Sequence, residues 1–237
     1  MRNCTQDELD VITIGVQNAD SGKVYNVNGV IGVAEGDADT VSPYKVPLKT
    51  EGIFTLAKQT GFTAAIGDLA FYDIATDKRL EAFSFAGTIP IGFYAAAAAS
   101  GDTTASVIFD PKAAETALEI HMLPLRFKAN DVQCTSFVAR RAGKVVGLSY
   151  YTMGKPSSAL GAVTLTSNNV GVSDNDLFSS LNLETITDNA LTAITLTVTP
   201  ADLVVAQGGV VEFVVTSDNA DGNENDGVDL FIYFQRT

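Results

Sequence analysis

Tryptophan is absent from this 237-residue sequence, histidine occurs once and cysteine twice. Any catalytic arrangement that needs an imidazole would have to use His121, which lies in an alternating segment between Ile120 and Met122 and is interpreted as a surface or interface side chain. Cys4 and Cys134 have no CxxC spacing, which predicts two reduced thiols and neither a disulfide framework nor a zinc site. Because nitrogen and sulfur ligands are so scarce, we expect no metal and no cofactor.

Motifs of catalysis and nucleotide binding are missing as well: no nucleophile elbow, phosphate loop, dinucleotide fingerprint or HExxH helix is present. Paired carboxylates are the one catalytic arrangement left open, since Asp and Glu together number 28. A glycosidase would place two of them across a cleft. Such clefts usually add aromatic platforms, and the seven tyrosines are scattered along the chain. The sequence therefore predicts a protein that is not an enzyme.

Basic residues are few. Fifteen Lys and Arg face 28 Asp and Glu, for a formal net charge of −13. Such a balance repels phosphate backbones and anionic lipid surfaces, which predicts no nucleic-acid partner and no membrane partner. The first residues carry no basic-then-apolar signal peptide, and the apolar stretch at 89–99 contains Pro90 and is too short to span a bilayer. A soluble chain that is not exported is expected.

The charge is unevenly distributed in the second half of the chain. Six basic residues lie from Arg126 to Lys155 against one acid, Asp131, whereas from Ser167 onward only Arg236 opposes eleven acids. One interpretation is a pair of ordinary solvated faces. The alternative is self-complementarity, in which the basic stretch of one copy meets the acidic loops of a neighbour in a ring.

The densest acidic stretch runs from Asp218 to Asp226, and its oxygen ligands and glycine leave calcium binding open. It fails the EF-hand spacing, because Ser217 occupies the first ligand position and the distal glutamate is missing. We favour a long polar hairpin loop between the last two strands, since Asn and Gly tolerate positive φ. A smaller acidic loop at 173–176 is interpreted in the same way.

Short alternating segments separated by turn residues predict an all-β fold. At 46% hydrophobic and 18% charged residues, the chain can bury a core of one large or two ordinary domains. Asp110-Pro111 breaks a strand and predicts a domain boundary, with a helical turn at 113–118 as a linker. The second half contains seven candidate strands, which predict a β-sandwich or jelly roll. In the last of them, at 228–234, alternation places Val228, Leu230, Ile232 and Phe234 on one face. Pro43 and Pro47 predict that the strand between them lies at a sheet edge.

Five landmarks follow one another in the first half, each a short apolar strand beside Gly-Asp or Gly-Thr turn chemistry. They are GVIGVA at 29–34, GIFTLAK at 52–58, GDLAFYD at 67–73, IGF at 91–93 and GDTTASV at 101–107. Their order and spacing resemble the tailed-phage capsid cement, or decoration, proteins over about residues 5–110. The second half is similar in rhythm to the jelly-roll modules of virion proteins.

The resemblance implies a capsid-binding cement domain at 1–111, small and β-barrel-like with an N-terminal arm, followed by a projecting β-sandwich or jelly-roll domain at 112–237. It implies a protein made in the host cytoplasm that binds the outer capsid surface of the expanded head. Its partners would be the major capsid protein and itself, as a homotrimer that stabilises the contacts between capsomers. The alternative is a virion-surface adhesion module that binds host or environmental glycans through the second domain.

Two segments are the predicted capsid contacts. The first is the arm from Asn3 to Asp10, including Thr5 and Asp7, which would add to a capsid strand by edge pairing. The second is the loop from Lys58 to Phe62.

Overall fold

The computed structural model describes residues 11–15, 18–37, 45–83, 87–126, 132–152, 163–170, 177–178, 180–183, 189–196, 204–217 and 227–236. Strands dominate these residues, and the all-β prediction is confirmed. The chain divides into two compact units, Met1–Thr116 and Ala117–Thr237. The observed division lies at the end of the short helix that follows the last strand of the first unit, whereas the predicted boundary after residue 111 lies at the start of that helix.

The described part of the first unit forms two antiparallel sheets, with strand orders β1-β4-β3-β2 and β5-β9-β8-β6-β7. The strands are β1 (Val11–Gly15), β2 (Val24–Val27), β3 (Val30–Ala34), β4 (Lys45–Lys49), β5 (Gly52–Ala57), β6 (Leu69–Asp73), β7 (Leu80–Glu81), β8 (Thr88–Tyr94) and β9 (Thr104–Phe109). The two edge strands of the five-stranded sheet meet at one point, because Lys58, directly after β5, forms a bridge with Leu80 of β7 and the Gln59 N–H donates to the Leu80 carbonyl at 2.8 Å. Among the described residues this sheet thus curls toward a barrel, as predicted, without closing one fully.

A shared core joins the two sheets of the first unit. Val24 and Val33 of the four-stranded sheet pack in one buried cluster with Leu56, Tyr72 and other side chains of the five-stranded sheet. The Tyr72 hydroxyl accepts the Val24 N–H at 3.3 Å and donates to the Lys78 carbonyl at 2.5 Å. Burial raises the pKa of Tyr72 to about 12, so this hydroxyl stays protonated and keeps its bond across the sheets.

The prediction that β4 lies at a sheet edge is wrong, since β4 pairs with both β1 and β3. Pro47 is tolerated there because its carbonyl accepts the N–H of Glu35 at 3.0 Å, just beyond the paired residues of β3. A residue's N and O point to the same side of an antiparallel strand. The missing N–H of proline therefore faces the place where pairing with β3 has already ended.

One α-helix, α1 (Pro111–Ala117), follows β9. Asp110 caps it, because its carboxylate accepts the Ala113 N–H at 2.9 Å and Pro111 occupies the first helical position. The predicted helical turn is confirmed. Among the described residues no helix is long and apolar enough to cross a membrane.

The described part of the second unit is a sandwich of two sheets. Their orders are β10-β18-β12-β15, with β16 also pairing with β12, and β11-β17-β13-β14. The strands are β10 (Leu118–Arg126), β11 (Val132–Val138), β12 (Gly143–Thr152), β13 (Val163–Val170), β14 (Leu181–Asn182), β15 (Leu191–Ile194), β16 (Val204–Val205), β17 (Val210–Ser217) and β18 (Gly227–Arg236).

These pairings define a jelly roll. β10 pairs with β18, β11 with β17, β12 with β15, and β13 with β14, as in one long hairpin whose arms pair from the ends inward. Two further pairings, β12 with β18 and β13 with β17, show that this hairpin is rolled into two facing sheets. The predicted sandwich is confirmed.

The core of the second unit lies between the two sheets. β18 contributes Val228, Leu230, Ile232 and Phe234, each at most 1% exposed. The predicted alternation of this strand is therefore confirmed. Facing side chains such as Phe213 of β17 complete the cluster.

Candidate functional site

The loop after β5 is organised around a buried lysine. The Lys58 ammonium donates to the carbonyls of Gln59, Phe62 and Ala99 at 2.9, 2.8 and 3.1 Å, and the residue is only 4% exposed. Burial lowers the pKa of Lys58, and the nearby Asp102 carboxylate acts in the opposite direction. The ammonium thus closes the loop by satisfying three carbonyls at once.

Lys58 and Phe62, both predicted as capsid contacts, are brought together. The Lys58 Nζ atom lies 4.0 Å from the centroid of the Phe62 ring, within the range of a cation–π contact. In this geometry the ammonium acts inside the protein and shapes the loop. The other predicted contacts, Asn3, Thr5, Asp7 and Asp10, lie outside the described residues, so the arm stays a prediction.

Replacing Lys58 by methionine is expected to lower the free energy of unfolding by about 2 kcal/mol, because three carbonyls lose a charged donor. Urea unfolding measures the loss. The matched control is Lys49→Met, which breaks a 2.7 Å ion pair with Glu35 that is about 40% exposed (43% and 35%) and should cost less than about 1 kcal/mol. If Lys58→Met keeps full stability but loses capsid binding, the ammonium itself contacts the partner.

An exposed apolar row crosses the five-stranded sheet. Ile53 of β5 lies opposite Ile108 of β9, Ile108 opposite Phe93 of β8, and Phe93 opposite Leu69 of β6. Directly opposed residues share one face of a sheet. Ile53 is 69% and Ile108 45% exposed, whereas Leu69 is 4% exposed. The row therefore runs from a buried end to an open apolar surface at the β5 edge, and we call Ile53, Ile108 and Phe93 the apolar row.

Sequence reasoning located the three strands of the apolar row but missed the row itself. The available signal was a pair of neighbouring large apolar residues in each strand: Ile53 beside Phe54, Phe93 beside Tyr94, and Ile108 beside Phe109. Neighbours in a strand point to opposite faces, so one member of each pair had to face away from the core. Which member faces outward is decided by packing.

A group of carboxylates, Asp73, Asp77 and Glu81, lies close together at the end of β6. The Asp73 carboxylate accepts the N–H groups of Ala75, Thr76 and Asp77 and the Thr76 hydroxyl. These hydrogen bonds, first that from Asp77, hold the pKa of Asp73 well below its usual range. Arg79 lies 2.6 Å from Asp77 and 3.0 Å from Glu81. The group is explained as a hydrogen-bonded turn.

The single histidine lies in a groove of the second unit. His121 Nε2 is 3.0 Å from Glu119 Oε2, and its ring centroid is 4.6 Å from that of Phe137. Ile120 and Met122 on either side are 59% and 57% exposed. His121 therefore faces away from these two neighbours, as strand alternation requires, and is partly buried against the inner side of the sandwich.

The first unit thus carries an exposed apolar row on its five-stranded sheet, and the second unit is a jelly-roll sandwich, so the molecule is an all-β protein. Residues 5–109 match the phage cement protein family. The resemblance found in the sequence is thus confirmed for this segment, which contains every described strand of the first unit. It supports a capsid-associated structural role. Curated proteins gave no significant match.

Two solved structures of infectious bursal disease virus are similar to this chain. The structure of the Gx strain aligns with 96% of this chain and 71% of its own, at 7% identity and a TM-score of 0.29. The VP2 subviral particle aligns with 95% of this chain and 67% of its own, at 8% identity and a TM-score of 0.29. The jelly-roll assignment of the second unit rests on its strand order.

Proposed function

We propose that this protein is a phage capsid decoration protein that binds the outer surface of the expanded head and stabilises the contacts between capsomers. The match of residues 5–109 to the phage cement protein family carries this proposal. The structure adds a surface for the task, because the apolar row lies within the matched segment. The first unit is therefore the capsid-binding part of the chain.

The apolar row is the main contact in this proposal. Single exposed apolar residues are ordinary on protein surfaces, but three neighbours across adjacent strands form a patch of the kind that marks an interaction site. Thr55 and Ser106 lie opposite each other on the same face, two residues along each strand from Ile53 and Ile108. The patch thus has an apolar centre and a polar border, as protein interfaces do.

Two further contacts remain predictions within this proposal. The arm from Asn3 to Asp10 precedes β1 and would add a strand to a sheet edge of the major capsid protein. The loop from Lys58 to Phe62 would contribute its outer surface, while the Lys58 ammonium keeps its shape through the three carbonyls described above.

The mechanism is a passive brace. A shell under internal pressure fails at the seams between capsomers, and a clamp across each seam raises the free energy needed to separate them. In a homotrimer, the second and third protomers dock at high effective concentration once the first is bound, which increases affinity by about 10²–10⁴. The three protomers can contact the capsid lattice together only at one spacing between their binding sites, so the homotrimer selects the expanded head.

Mixing the purified chain with undecorated expanded capsids tests the proposal. We expect added density on the outer surface by cryo-electron microscopy, and decorated heads that survive a higher temperature than bare ones. Unexpanded capsids are the control and should bind much less. No density on expanded heads, together with binding on a glycan array, would overturn the proposal in favour of the adhesion alternative.

A further inference from the structure

The second unit contains a groove that the proposed capsid contacts do not use. It has a volume of about 720 Å³ and lies between β10 and β11, the edge strands of the two facing sheets. Among the described strands, β10 pairs only with β18 and β11 only with β17. Each strand therefore presents a free backbone edge, the feature to which an extended chain segment adds.

The groove is strongly basic at one end. Arg140, Arg141 and Arg236 line it together with His121, and Glu119 is the one acid among the described residues of its lining. Glu119 is already shared, since Arg236 Nε lies 3.1 Å from Oε1 and His121 Nε2 lies 3.0 Å from Oε2. In the part of the chain that the structure describes, no carboxylate forms an ion pair with Arg140 or Arg141. These two exposed guanidinium groups fit an acidic ligand.

The chain itself supplies an acidic segment, residues 218–226, which lies outside the described residues. Residues 218–226 carry four carboxylates and no Lys or Arg, and they begin after Ser217 of β17 and end before Gly227 of β18. The groove runs along β10 from Leu123, opposite Leu230 of β18, to Glu119, and its arginine-lined end lies at the last residue of β18, Arg236. The ten residues of β18 span about 30 Å.

The acidic segment cannot reach the arginines of the groove in its own copy. Its two ends are fixed at the start of β18 and the end of β17, so its nine residues reach at most about 17 Å outward before they must return. That is roughly half the distance to Arg236. A second copy of the chain has no such restriction.

We propose that the groove binds the acidic segment 218–226 of a second copy of this chain. Arg140 and Arg141 would pair with its carboxylates, and the free edges of β10 and β11 would meet its backbone. Such a contact joins the basic end of one sandwich to the acidic end of the next, and head-to-tail contacts of this kind close into a ring when their rotation permits. The inference rests on the proposed function, because it gives the homotrimer a physical basis.

Sedimentation of the full chain over a concentration series tests the inference. Arg140→Glu combined with Arg141→Glu is expected to weaken self-association at least about tenfold, because attraction becomes repulsion. Neutralising the segment with Asp218→Asn, Asp221→Asn, Glu224→Gln and Asp226→Asn should have a similar effect. Raising the salt concentration should also weaken the self-association of the unmodified chain.

Exchanging the charges between the groove and the acidic segment provides the decisive test. A chain that combines the two groove reversals with Asp221→Lys and Glu224→Lys is expected to recover association. Two matched controls should leave association unchanged: Lys112→Glu, an exposed charge reversal on α1, and neutralisation of Asp174 and Asp176, the other acidic loop. Circular dichroism of each variant checks that the fold is intact.

A monomeric parent, groove variants that associate like the parent, or a charge exchange without recovery would each overturn the inference. The proposed function is tested separately, by measuring whether the unmodified chain binds expanded capsids. Capsids decorated by copies that do not associate would leave the capsid function standing and contradict the groove contact. Association without decoration would do the reverse.

Discussion

Replacing Ile53 with glutamate and Ile108 with lysine in the same chain is expected to weaken binding to expanded capsids at least about a hundredfold. The two side chains form the exposed end of the apolar row, at 69% and 45% exposure. Loss of two apolar anchors at about 1.5 kcal/mol each, with charges left to be desolvated in the interface, corresponds to this factor. Co-sedimentation with undecorated heads measures the affinity.

The charges in this variant are chosen to preserve the sheet. Ile53 and Ile108 lie directly opposite each other, so the new glutamate and lysine form an attractive cross-strand pair, and the net charge of the chain is unchanged. The matched control is Val204→Glu on the second unit, where an apolar residue that is 49% exposed lies opposite Lys144. Equal capsid binding by the parent and the double variant would show that the apolar row is not the contact.

Replacing Gly92 with alanine is expected to lower the free energy of unfolding of the first unit by more than about 3 kcal/mol. A Cβ atom at this position would collide with the backbone carbonyl of Ile108 and lie 3.1 Å from the Asp110 nitrogen. Both obstacles are backbone atoms in the pairing of β8 with β9, so neither can move without opening the sheet. Thermal unfolding followed by circular dichroism measures the loss.

The control for Gly92→Ala is Gly101→Ala. A Cβ at Gly101 would meet nothing within 4 Å, so its effect should stay within about 0.5 kcal/mol. Because the apolar row crosses β8 at Phe93, the Gly92 variant should also lose capsid binding together with its fold. If the Gly92→Ala chain unfolds at the same temperature as the unmodified chain, β8 and β9 separate more easily than their contact implies.

Local patterns in the sequence were enough to predict the strands of both units. The alternation at 228–234 correctly identified the buried face of β18, and the seven strands predicted for the second half are all present. These predictions succeed because side chains of a strand alternate between faces whatever the strand pairs with. Asp110-Pro111 likewise indicated the end of β9 through local backbone chemistry alone.

Predictions that depended on distant partners were less successful. Pro47 suggested an edge strand, yet β4 has neighbours on both sides, because the missing donor faces the end of β3. The loop from Lys58 to Phe62 stays a predicted capsid contact, but no local pattern indicated that the Lys58 ammonium lies among three carbonyls, one of them 41 residues away. The groove joins Glu119 and Arg236, which are neighbours only because β10 pairs with β18.

The sequence by itself determined the all-β class, the positions of most strands and the resemblance carried by residues 29–107. Only the tertiary structure decided which residues of β5, β8 and β9 are exposed, which charges meet, and that the sandwich of the second unit is a jelly roll. The physical reason is range. Turn chemistry and strand alternation act over a few residues, whereas burial and ion pairing depend on strands as far apart in the chain as β10 and β18.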